Sequence, residues 1–155
     1  MLNVLVWLLA FLAQAGLLGI VMYSLISLSD LENDFVNPHD ASAALNKWVP
    51  VEYILNAALA AFLLVCGKWI AAAIHTCVSL WNLRTYLQRD HAVDVTEIFR
   101  QLPKQKMMRM IKLVIFLFAF VLIIYRLVES AVTRLLTEEG RDTAKQLLKD
   151  AAVTF

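Results

Sequence analysis

The chain has 155 residues, of which 61% are apolar and only 17% charged, with a formal net charge of +1. Soluble domains carry about 45–50% apolar and about 25% charged residues, and a chain this short cannot bury the excess. The same figures exclude disorder and, with two cysteines, a disulfide scaffold; the near-zero charge gives no basis for a nucleic-acid partner, and a membrane protein remains.

Residues 1–29 contain no Lys, Arg, Asp or Glu and predict a first crossing over 4–28, since a bilayer core needs about 20 helical residues. Ala13-Gln14-Ala15 has the small-x-small pattern of a cleavage site, but no basic segment precedes it and the apolar run continues, so an uncleaved helix is expected. The loop that follows is rich in turn formers: Asn37-Pro38 with Asp40 two residues on.

The second apolar block runs from Val51 to about Leu83, interrupted by Glu52 and Lys68. As one helix it would be about 50 Å long against a hydrocarbon core of about 30 Å. The alternative is a hairpin turning at Cys66-Gly67-Lys68, with crossings over 51–66 and 69–86 and Lys68 held at an interface. The hairpin is the favoured reading, and three crossings the alternative.

Residues 84–112 hold seven basic side chains (Arg84, Arg89, Arg100, Lys104, Lys106, Arg109, Lys112) against Asp90, Asp94 and Glu97, which makes the stretch cytosolic by the positive-inside rule. Within it, Thr96 is placed to cap a short helix that Pro103 would end. Ile98, Phe99 and Leu102 would form an apolar knob there, either docking a partner or lying on the membrane. A last crossing is expected over 110–128, with Lys112 and Arg126 snorkelling to opposite interfaces. Residues 131–155 are mixed in charge; Leu135, Leu136, Leu147 and Leu148 suggest a short amphipathic helix broken near Gly140. The fold class is therefore an all-α membrane protein with four transmembrane helices and short connections, and parity puts both termini on the lumenal or extracellular side.

Chemistry has few carriers. His39, His75 and His91 lack partners at metal-ligand spacing, and Cys66 and Cys77 read as small packing residues. The sequence offers no phosphate loop, no nucleophile triad and no intramembrane carboxylate pair, so no enzyme, cofactor or metal site is expected. Lys68 and His75 read as interfacial, which leaves transport without ionisable groups and binding as the default.

Two loops carry a family signature. The run from Ser27 to Asn46, with Asp30, Asn37, Pro38, Asp40 and Asn46, resembles the loop after the first helix of the cornichon proteins. His91-Ala92-Val93-Asp94-Val95-Thr96-Glu97-Ile98-Phe99 resembles that family's third-helix exit, especially in plants and fungi, and Ile124-Tyr125-Arg126-Leu127-Val128 its last-helix ending. The sequence departs from the pattern at Pro50-Val51-Glu52, Gly67-Lys68-Trp69 and Cys77.

The resemblance, which spans roughly residues 5–130, implies a four-helix domain over 1–130 and a cargo receptor of the endoplasmic reticulum membrane that cycles to the Golgi. It would bind transmembrane client proteins and link them to the COPII coat. The coat contact would map to Ile98, Phe99, Arg100, Gln101 and Leu102. Clients would meet Phe62, Leu63 and Leu64, with the polar Gln14 and Asn56 as further contact points that could equally bond within their own bundle. The alternative is an auxiliary subunit that stays bound to a channel or transporter. Homo-oligomerisation is left open.

Overall fold

The computed structural model describes residues 2–154, apart from the side chains at 144, 147 and 151–154; Leu147 of the expected tail stripe thus lies outside the described residues. Four helices follow one another, α1 (Leu2–Glu32), α2 (Pro38–Val65), α3 (Trp69–Leu87) and α4 (Ile98–Thr154), with no strand among the described residues. Three of them, α1, α2 and α4, are long and apolar enough to cross a membrane. α3 has 19 residues, about 28 Å at 1.5 Å per residue.

The chain does turn at 66–68, and the single long helix is ruled out. Gly67 takes a φ of 69°, Lys68 N–H donates to the Leu63 carbonyl at 2.9 Å and Gly67 N–H to that of Leu64 at 3.0 Å. This left-handed closure satisfies carbonyls that a helix end leaves without partners. α1 and α3 end the same way, at Asp34 (φ 57°) and Arg89 (φ 58°), with Phe35 N–H on the Asp30 carbonyl and Asp90 N–H on that of Thr85. Only the glycine was legible as a stop, because Asp and Arg enter this region rarely.

Two helix boundaries differ from expectation. α2 begins at Pro38, not at 51. Asn37 Oδ1 accepts from His39 N–H at 3.1 Å as an N-cap, and Pro38, which needs no N–H in the first turn, follows it. Pro50 lies inside the helix, where it removes one bond, that to the Asn46 carbonyl. Hydropathy missed residues 38–50 because it reports apolar crossings and this stretch is mixed. α4 likewise starts at Ile98, passes through Pro103 and continues across Gly140 without a break. Pro103, the sixth residue of α4, removes one bond, that to the Phe99 carbonyl, without ending the helix, and one glycine weakens a helix by only about 1 kcal/mol.

α1 packs along α4 and α2, and α2 along α3; the contact of α3 with α4 is slighter. Two cores result. The larger holds Trp7, Ala10, Leu17, Val21, Leu59, Leu63, Ala72, Val78, Phe116 and Ile123. Around it the outward faces are also apolar: Leu5, Leu8, Leu9 and Leu12 on α1, and Val114, Leu117, Phe118 and Val121 on α4, are exposed at helical spacing. The polar residues Gln14, Ser24, Asn56 and His75 are inside. Such helices, apolar all round with polar groups inward, suit lipid as solvent. The smaller core joins Leu28, Leu31, Ala41, Leu45, Val93, Ile98 and Leu102 at the end of the bundle where the 88–97 loop leaves α3.

Candidate functional site

The smaller core makes the two signature loops one unit. Asn46, on α2, donates Nδ2–H to the Val93 carbonyl at 3.0 Å and accepts from Val93 N–H at 2.8 Å. One amide thus replaces a strand partner for a buried loop residue. Val93 then packs on Leu28, Leu31 and Leu45, between α1 and α2. The next residues start α4: Asp94 Oδ1 accepts from Thr96 N–H at 3.0 Å and from its hydroxyl at 2.9 Å. The backbone N–H, then the hydroxyl, hold the Asp94 carboxyl below the usual carboxylate range. Lys106–Glu32 and Lys104–Asp90 tie α4 to the ends of α1 and α3, the latter at 2.7 Å. Asp30 accepts the closing bond of α1 through its carbonyl, Asn37 and Pro38 begin α2, and Asp40 stands exposed in its first turn.

The expected apolar knob is divided by this packing. Ile98 is 1% exposed and Leu102 is buried beside it, so neither is offered to a partner. Phe99 is 58% exposed, Arg100 is exposed while paired to Glu97 at 2.6 Å, and Gln101 is half-buried. The reason is helical geometry: residues four apart share the inward face, and Phe99 points away from it.

The membrane-facing candidates divide too. Phe62 is half-buried and Leu64 exposed, but Leu63 is fully buried in the larger core. Gln14 donates Nε2–H to the Phe116 carbonyl at 2.8 Å. Asn56 donates to the His75 carbonyl at 3.1 Å and the Ser79 hydroxyl at 2.8 Å, while its Oδ1 lies 2.9 Å from His75 Nδ1. Gln14 and Asn56 therefore hold the bundle together and are corrected from contact points to internal ties. His75, expected at an interface, is fully buried against this amide.

A polar site that the sequence reading did not find lies between α2, α3 and α4. Lys112 does not snorkel: Nζ donates to Glu52 Oε1 at 2.8 Å, with both side chains buried. The ammonium also lies 4.6 Å from the Tyr53 ring and 6.0 Å from that of Trp81. Arg109, one turn earlier, is buried beside the pair. Glu52 Oε2 and Arg109 Nε have no hydrogen-bond partner among the described residues. The signal was available: Glu52 is the one carboxylate of its apolar block, and Lys112 is one of two cations in a block without a carboxylate. Lys68, by contrast, does sit at a helix end, bonded to Asn3 and 5.4 Å from the Trp7 ring. Cys66 and Cys77 are free thiols.

Comparison with known proteins adds the family. The family model of the cornichon protein matches residues 4–125. Cornichon homolog 2 of Oryza sativa subsp. japonica is 42% identical over 138 residues, covering 89% of this chain and 93% of its own. Cornichon homolog 3 of Arabidopsis thaliana is 39% identical, with 80% and 90% covered. The ER-derived vesicles protein erv14 of Schizosaccharomyces pombe is 32% identical over 111 residues, with 72% and 81% covered.

Proposed function

The chain belongs to the cornichon family, and from that premise we propose that it is a cargo receptor of the endoplasmic reticulum that cycles to the Golgi. It carries transmembrane clients into vesicles by bridging them to the COPII coat. The similarity to a relative named as a protein of ER-derived vesicles supports this reading. All four helices cross the membrane, α3 included, with both termini lumenal and the basic 84–112 stretch, which holds the loop between α3 and α4, cytosolic. Clients pack on the lipid-facing surface of α1 and α2, where Phe62 and Leu64 are accessible. In lipid such contacts rest on side-chain packing, not on expulsion of water.

The coat-facing element is the start of α4. The observation that carries this is a rigid mount, the Asn46–Val93 clasp and the smaller core, under an exposed Phe99 beside Arg100. An aromatic and an arginine on fixed backbone are the residue types that most often anchor a protein interface.

The test separates docking from folding. Phe99→Ala with Arg100→Ala should leave helix content and melting unchanged and reduce packaging of a membrane client into coat-generated vesicles by at least about tenfold, the equivalent of about 1.4 kcal/mol of lost contact. Normal client export by this double variant would remove the coat-docking role.

A further inference from the structure

We propose that the groove between α2 and α3 is a binding site for one anionic phospholipid. The groove has a volume of about 700 Å³ and is flanked by Ile54, Ala57 and Leu83, with Asn82 and His91 among its lining residues. Asn82 is 3% exposed, and neither its Oδ1 nor its Nδ2 has a hydrogen-bond partner among the described residues. His91 Nδ1 is buried and unpartnered as well. Buried amides are nearly always hydrogen-bonded, and in lipid no bulk water serves them. The unpaired amide therefore points to an occupant with polar groups at that depth, acceptors for Nδ2–H above all.

The distribution of polarity along the groove identifies the occupant. Asn82 lies in the last turn and a half of α3, and His91 and Ala92 of the following loop close the mouth. Ala57 lies farther from that mouth, in the last third of α2. Polar at the loop end and, apart from Ser79, whose hydroxyl already accepts from Asn56, apolar toward the bundle's middle is the profile of a phospholipid, with ester oxygens accepting from Asn82 Nδ2–H and an acyl chain along Ile54 and Ala57. A groove of this size suits a single chain of a small ligand, whereas a transmembrane helix is about 10–12 Å across.

Charge selects the headgroup. A small cavity behind the groove shares Val49, Tyr53 and His91 with it and is backed by Arg109 and Lys112. Those two cations face only the Glu52 carboxylate, because Asp90, also on that cavity, is paired with Lys104. One positive charge thus remains uncompensated beside the polar end, and a phosphodiester at the mouth would balance it. The site needs neither the client nor the coat role.

The full chain, reconstituted in phosphatidylcholine nanodiscs containing a minor fraction of phosphatidylglycerol, should keep one phosphatidylglycerol per chain on release for native mass spectrometry. Its retention should exceed that of phosphatidylcholine by about tenfold. Asn82→Leu removes the unpaired amide at similar volume and should fold normally yet retain severalfold less of either lipid, because both carry the esters that the amide would bind. Ala57→Phe fills the apolar part and should lose the lipid with Asn82 intact, while Val121→Ala, on the outer face of α4, should retain it. Equal retention of the two lipids, retention unchanged in Asn82→Leu, or capture of inorganic phosphate or of a transmembrane peptide in place of lipid would each overturn the proposal.

Discussion

The two cores of this molecule obey opposite rules. In the larger one polar groups, Gln14, Asn56 and His75, are inside beside the apolar core, and the outer faces carry leucines and valines as well. In the smaller one Leu28, Leu45, Ile98 and Leu102 are inside and the charged Glu32, Asp90, Lys104 and Lys106 are outside. Three helices, α1, α2 and α4, pass from one regime to the other, and it is the solvent around them that differs. The smaller core is a water-facing fold built on the end of a lipid-facing one. Burial there has the full hydrophobic driving force, whereas in lipid the gain comes from packing and internal hydrogen bonds.

The sharpest way to break this contrast lies at the boundary. Glu52→Gln leaves Lys112 buried without its carboxylate and should cost about 3–5 kcal/mol, read as a fall in the melting temperature of the detergent-solubilised chain. Replacing both partners, Glu52→Gln with Lys112→Met, should recover most of it. A Glu52→Gln variant as stable as the parent would show that water reaches the pair.

Within the smaller core, Ile98→Ala should cost about 2–5 kcal/mol, visible as faster hydrogen exchange across the 88–97 loop. The comparable truncation Val121→Ala on the lipid-facing side should change stability by less than about 1 kcal/mol. Similar costs at the two positions would erase the distinction between the regions. Two asparagines extend the same comparison at smaller scale. Asn46→Ala orphans the backbone of buried Val93 and should cost about 1–3 kcal/mol. Asn56→Leu in the lipid-facing core should cost only about 0.6 kcal/mol, because a chain unfolded in the membrane finds other partners for its polar groups.

The smallest effect concerns pH. The folded Asp94 carboxyl titrates below its unfolded value of about 4, so its contribution is complete above that pH and disappears as pH falls through the lower, folded value. Amides 96–98 should lose protection below about pH 4 in the parent. In Asp94→Asn, protection should be independent of pH over the same range.

Much of the architecture was legible as missing charge. The uncharged runs located α1, α3 and the middle of α4, and Gly67 gave the hairpin turn. The candidate site was less legible. Ile98, Phe99 and Leu102 were readable as an apolar group, but which of them faces outward depends on where Val93 and Leu45 lie. Gln14 and Asn56 were readable as polar residues in apolar helices, while their partners, Phe116 and His75, come from other helices.

The excess of apolar over charged residues by itself determined that this chain lives in lipid, since no chain of this length can hide that surface from water. Local residue choices, the capping Asn37 and the turning Gly67, determined where helices begin and reverse. Only the tertiary structure decided that Glu52 and Lys112 meet, that Ile98 is core and Phe99 surface, and that Asn82 faces a groove. Hydropathy is a sum over neighbours in sequence. Pairing and burial depend on contacts such as that between Glu52 and Lys112, 60 residues apart, which no local sum contains.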